Sequence, residues 1–98
     1  MIADPLTLSS EVVALHIAKL TPRQLEIIGH IASGQSDKST SLILSIKRGT
    51  VRKHVQHALE RTGADNRIQL IVMFTIWKTE SVRSAKGLYT HSSNSVQI

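Results

Sequence analysis

The chain has no cysteine, which excludes disulfide bonds, thiol nucleophiles and thiolate metal sites together. It has no apolar run approaching the roughly 18 residues of a membrane span. Its first residues, Met1–Ser10, lack the basic start and apolar stretch of a secretory signal. These absences point to a soluble, cytoplasmic protein without a membrane partner. No glycine-rich nucleophile turn surrounds a serine or threonine, and no acid–base constellation stands out, so no enzyme and no cofactor are expected. Acidic residues are also few: 7 Asp and Glu stand against 12 Lys and Arg, for a formal charge of +5.

What is present fits one small domain, since 98 residues make one core. The excess positive charge suits a polyanionic partner, because Lys and Arg opposite phosphates release condensed counterions. Its position is more informative than its sign. Lys47, Arg48, Arg52, Lys53 and Arg61 lie close together with His54 and His57 among them, and Glu60 is the acid in the same stretch.

Aliphatic residues recur at helical spacing with breakers between them, which predicts an all-α chain. An accessory helix is expected after Ser9 or Ser10, running to Leu20 with Val13, Ile17 and Leu20 on one side. Thr21-Pro22 reads as the cap and first turn of the next helix, Pro22 to about Ser33, closed by Gly34. Ser36 caps a short helix over Asp37–Leu44, and Ser45–Gly49 reads as a turn. The helix Thr50–Thr62 then places Val51, Val55, Ala58 and Leu59 on one face. By the 100° helical step, Lys53, Gln56, His57 and Glu60 fall opposite, with Arg52 on the flank. Gly63 stops it, and Asn66 caps a last helix, Arg67–Lys78.

That last helix is apolar nearly all round, so it needs cover on more than one side. A core this small is expected to cover one, leaving Leu70, Met73, Phe74 and Trp77 to meet another chain. The alternative is that Phe74 and Trp77 are simply core. Residues 79–98, rich in Ser and thin in aliphatics, read as a flexible polar tail. The expected organisation is an accessory helix over 1–19, a helix-turn-helix domain over 20–78, and the tail.

Two short helices joined by a tight turn, the second basic on its outer face, form the arrangement that fits a helix into the DNA major groove. The residues resemble the LuxR/GerE-type helix-turn-helix domain, found also in NarL-like regulators. The resemblance covers about Leu20–Trp77. It rests on Leu20-Thr21-Pro22-Arg23, Ala32-Ser33-Gly34-Gln35-Ser36-Asp37-Lys38, Thr50-Val51-Arg52-Lys53-His54-Val55 and Thr62-Gly63-Ala64-Asp65-Asn66-Arg67 in that order.

The resemblance implies a four-helix domain whose third helix reads double-stranded DNA and whose fourth often forms the dimer contact; here an extra N-terminal helix precedes it. Carried over by position, Lys38 and Thr50 would meet phosphates, and Arg52, Lys53 and Gln56 base edges or nearby phosphates. His54 would touch the DNA backbone or brace the helix. Arginine and lysine can donate to guanine, and glutamine can pair with adenine through two hydrogen bonds. Lys53 is favoured over His57 as a reader, while Lys47 and Arg48 add charge along the phosphate path.

Five positions, in three places along the chain, depart from the family pattern. Ser39, Thr40 and Ser41 replace its Glu-Ile-Ala, Lys47 replaces the serine cap of the recognition helix, and Gln24 replaces a glutamate. His54 and His57 have a spacing that could ligate metal, but no third ligand is placed to complete a site, so no metal is expected.

The expectation is a sequence-specific transcriptional regulator binding an inverted repeat as a homodimer. The alternative, motivated by the altered bracing helix and missing cap, is a protein-interaction module of the same fold that pairs with another regulatory protein and antagonises it.

Overall fold

The computed structural model describes the backbone of residues 9–97 and the side chains of residues 9–83. Five helices follow one another: α1 (Ser10–Ile17), α2 (Pro22–Ala32), α3 (Asp37–Leu44), α4 (Arg48–Thr62) and α5 (Arg67–Gln97), with no strand among the described residues. The architecture is all-α, as the periodicity predicts.

Local chemistry sets where the helices begin. Ser9 accepts from the Val12 amide and starts α1. Thr21 and Gln24 form a reciprocal capping box at α2: Thr21 Oγ1 accepts from the Gln24 amide at 3.1 Å, and Gln24 Oε1 from the Thr21 amide at 3.0 Å. The glutamine in place of the family's glutamate therefore still closes the box. Ser36 accepts from Ser39 at α3, and Asn66 Oδ1 from the Gln69 amide at 2.8 Å at α5. Lys47 is the exception, extended at φ −72° and ψ 148° with no side-chain cap hydrogen bond.

The helix-turn-helix turn is tighter than expected. α4 begins at Arg48, two residues before the expected Thr50, so the turn is Ser45–Lys47. Ser45 makes this possible by adopting a left-handed conformation, φ 56° and ψ 44°, which reverses the chain within one residue. Gly49 lies inside the first helical turn, where the backbone amides need no partner four residues earlier.

Val13, Ile17, Leu20, Ile27, Ile28, Ile31, Val51, Val55, Ala58, Leu70, Met73 and Phe74 form the core. α5 packs against α1, α2 and α4. Gly29 on α2 packs against Phe74, whose ring would lie 3.4 Å from a Cβ at that position. Contact with α1 corrects the expectation that α5 needs another chain to cover its second side, because Val13 and Ile17 help to cover it.

Leu70, Met73 and Phe74, expected at a dimer contact, are accordingly buried in the protomer's own core. Trp77, the fourth, is half-buried with its ring 5.6 Å from that of Phe74. The end of α5 is also moved. Its helical backbone passes Lys78 and continues through Gln97. No proline interrupts residues 79–97, and Arg83 pairs with Glu80 at 3.1 Å across one turn. The expected tail thus begins as helix, and its side chains from residue 84 lie outside those described.

Candidate nucleic-acid interface

α4 divides cleanly. Val51, Val55, Ala58 and Thr62 are buried, whereas Arg52, Lys53, Gln56, His57 and Glu60 are exposed. Lys47 and Arg48 are exposed at its start, Thr50 and His54 are half-buried, and Lys38 is exposed in the first turn of α3. Lys53, Gln56 and His57 thus share one outward face, and His54 lies at its boundary.

Gln56 is engaged on that face. Its Nε2 donates to Glu60 Oε2 at 3.4 Å, one helical turn away. To pair with a base through both amide atoms it must release Glu60, a weak contact between exposed groups.

Arg52 is less free than its position implies. Its Nε lies 3.5 Å from Asp37 Oδ2, and its side chain is 62% exposed. Asp37 also holds Arg67, with Nη1 3.0 Å from Oδ1 and Nη2 donating to Oδ2 at 3.2 Å. The carboxylate therefore ties the starts of α3 and α5 to the second turn of α4. Asp37 stands at the positive end of the α3 dipole, and tertiary packing brings both arginines to it, which no local sequence pattern shows.

Arg61, counted with the basic stretch, serves the fold instead. Its Nη1 donates to the Lys19 carbonyl at 3.1 Å, satisfying a backbone acceptor beyond the end of α1. The two residues are 42 apart, so no local pattern could reveal the contact.

α3 contributes the brace. Thr40 and Ser41 are its buried residues, while Leu42 and Ile43 are 71% and 53% exposed. Ser41 Oγ donates to the Lys38 carbonyl at 2.6 Å, whereas buried Thr40 Oγ1 has no hydrogen-bond partner among the described residues. Hydroxyls thus occupy the fully buried positions of α3, and Leu44, half-buried against the core, is its apolar contact.

A groove of about 470 Å³ lies between α2 and α5, lined in part by Leu25, Gly29, Ala32 and Phe74. The basic residues of α4 do not line it. His16 and His30 are half-buried, as boundary residues. Partial burial, and then the nearby Lys19 charge, hold the His16 pKa below its ordinary value. His91 lies outside the residues whose side chains are described. Among the described residues, no three His, Asp or Glu side chains gather as a metal site, and no helix is long and apolar enough to cross a membrane.

Comparison with known proteins agrees with this geometry. The transcriptional regulatory protein DesR of Bacillus subtilis (strain 168) is 40% identical over 52 residues, covering 53% of this chain and 26% of that protein. The putative HTH-type transcriptional regulator YhjB of Escherichia coli (strain K12) is 35% identical over 60 residues, 61% of this chain and 30% of that protein. The nitrate/nitrite response regulator protein NarP of the same organism is 29% identical over 55 residues, covering 56% and 26% respectively. The chain thus matches less than a third of the length of these relatives. No solved structure gives a significant match.

The family described as bacterial regulatory proteins, luxR family, matches residues 18–74, from just before α2 into α5. With that match over the capped α2, the α3 turn and the divided face of α4, the chain belongs to the luxR family of DNA-binding transcription regulators.

Proposed function

We propose that the chain reads DNA sequence by laying α4 in the major groove, with Lys53 and Gln56 at base edges and Lys38, Lys47, Arg48 and Thr50 along the phosphates. The division of α4 carries this reading: Val51, Val55 and Ala58 hold it to the core while Lys53, Gln56 and His57 face outward. Base contacts discriminate, at about 1–3 kcal/mol for a good two-bond pair, whereas phosphate contacts fix register. Such a regulator would work beside the bacterial chromosome, in the cytoplasm.

The reading includes a homodimer on an inverted repeat, through a different face of α5 from the buried one. Ile68, Val72, Thr75, Thr79 and Val82 recur at alternating intervals of four and three residues. Ile68 is 74% exposed, Thr75, Thr79 and Val82 are exposed and Val72 is half-buried. Such spacing gives a continuous helix-packing seam, and two-fold pairing would present two copies of α4 to successive major grooves.

Footprinting on genomic fragments across a salt series tests the reading. Protected sites sharing an inverted motif are expected. Binding without sequence preference at moderate salt, unaffected by Lys53→Ala with Gln56→Ala, would overturn it. Thr75→Arg is expected to give a monomer in sedimentation with unchanged helix content by circular dichroism.

The exposed Leu42 and Ile43 favour a second reading, in which the domain pairs with another regulatory protein and blocks it. A chain that stays monomeric alone and pairs with a foreign regulator in light scattering would support that reading over the first.

A further inference from the structure

One carboxylate in this domain faces two guanidinium groups, and the two are held unequally. Asp37 lies in the first turn of α3 with its side chain 13% exposed. Arg67 lies close to both of its oxygens, donating to Oδ2 at 3.2 Å and standing 3.0 Å from Oδ1 as an ion pair without a hydrogen bond to that oxygen. Arg52 approaches one oxygen by its Nε alone, at 3.5 Å, from a side chain that is mostly in solvent. Arg67 and the positive end of the α3 dipole stabilise the carboxylate without help from Arg52. Arg52 can therefore leave without stranding a buried charge.

We propose that Asp37 is an internal stand-in for a DNA phosphate: it occupies Arg52 in the free protein and yields it to the backbone when α4 meets DNA, setting the overall affinity. The inference rests on α4 being the DNA-facing helix. Carboxylate and phosphate oxygens accept the same guanidinium N–H groups, so for Arg52 the transfer exchanges one anion for another. A free arginine here would add attraction to every DNA sequence alike; one already paired adds less. Arg52 is thereby assigned to the backbone rather than to a base edge, because its Nε is drawn toward α3. Lys53 and Gln56, which have no contact with Asp37, keep their discrimination undiminished. Asp37 thus trims the uniform part of the binding energy and leaves the sequence-dependent part alone.

The test is fluorescence anisotropy of the full chain with two labelled duplexes, one of random sequence and one carrying a site obtained by selection, over a salt series. Asp37→Asn is expected to tighten binding to both duplexes by the same factor, about two- to fivefold, the span of an exposed ion pair. It should steepen the salt dependence only slightly, because Arg52 meets the same phosphate in both proteins and salt merely weakens the Asp37–Arg52 pair that opposes wild-type binding. Adding Arg52→Gln should abolish the gain.

No tightening, or tightening that survives the loss of Arg52, overturns the inference. A changed ratio between the two duplexes does so too, since it would place Arg52 on a base edge. If Asp37→Asn fails to fold, nuclear magnetic resonance of the wild-type chain decides. Addition of the random duplex should shift the Arg52 Nε–Hε resonance and leave that of Arg67 in place, and an unmoved Arg52 overturns the inference. A wild-type chain that binds both duplexes equally would overturn sequence reading while leaving this test intact.

Discussion

The paired helices α3 and α4 bury apolar residues to different degrees. α4 turns valines, an alanine and its final Thr62 inward and basic or amide side chains outward; α3 buries Thr40 and Ser41, keeps Leu44 half-buried against the core, and turns Leu42 and Ile43 outward. α4 follows the rule that apolar area removed from water stabilises, at roughly 25 cal/mol per Å². α3 draws on it less, through Leu44 alone, and its start is held by side chains. Ser36 caps it, and Asp37 anchors it to Arg67 and Arg52. The difference teaches that the reading helix is fixed by packing, whereas its brace depends more on polar contacts at one end.

Placing one charge on each helix should break the comparison most sharply. Val55→Asp buries an unpaired carboxylate in the core and is expected to cost about 3–5 kcal/mol. Leu42→Asp, on the exposed side of α3, should stay within about 0.5 kcal/mol. Urea titrations of both variants check the pair; equal losses would mean that Leu42 is covered.

Thr40→Val sharpens the contrast from the other side. It replaces a buried hydroxyl that has no partner among the described residues with a methyl group of similar shape. A gain of about 1–2 kcal/mol is expected, because a buried unsatisfied polar group carries its full desolvation penalty. In a thermal melt this corresponds to a rise of several degrees.

Lys47→Ser supplies the side-chain cap that α4 lacks. It should stabilise the domain by about 1 kcal/mol while lowering the salt dependence of DNA binding by about 0.9, so that melting and binding move in opposite directions. Ser45→Gly relieves the left-handed serine at the turn. About 0.5 kcal/mol is expected, since glycine's greater entropy loss on folding offsets part of the gain. Differential scanning calorimetry can resolve both.

These contrasts also show what could be read from sequence. The starts of α2, α3 and α5 were legible because Thr21, Ser36 and Asn66 act on amides within three residues, and the two faces of α4 were legible because its period is regular. The α4 start is not legible, because Ser45, rather than a glycine, takes the left-handed turn position. The inward side of α5 could not be read, since a helix apolar all round carries no phase and its partner α1 is distant in sequence. Arg52, Arg61 and Arg67 look alike as charges. Their separate tasks are set by Asp37 and the Lys19 carbonyl, which tertiary packing brings to them.

The position of α1 has a practical consequence. The segment recognisable by kinship starts at residue 18, yet Val13 and Ile17 are fully buried before it. Arg61 reaches back to the carbonyl of Lys19, just inside that boundary. The unit that folds is therefore larger than the unit that is inherited. A graft cut at the kinship boundary would carry the reading helix but expose the flank of α5, and a chimera meant to keep this domain intact should take its junction ahead of Ser9.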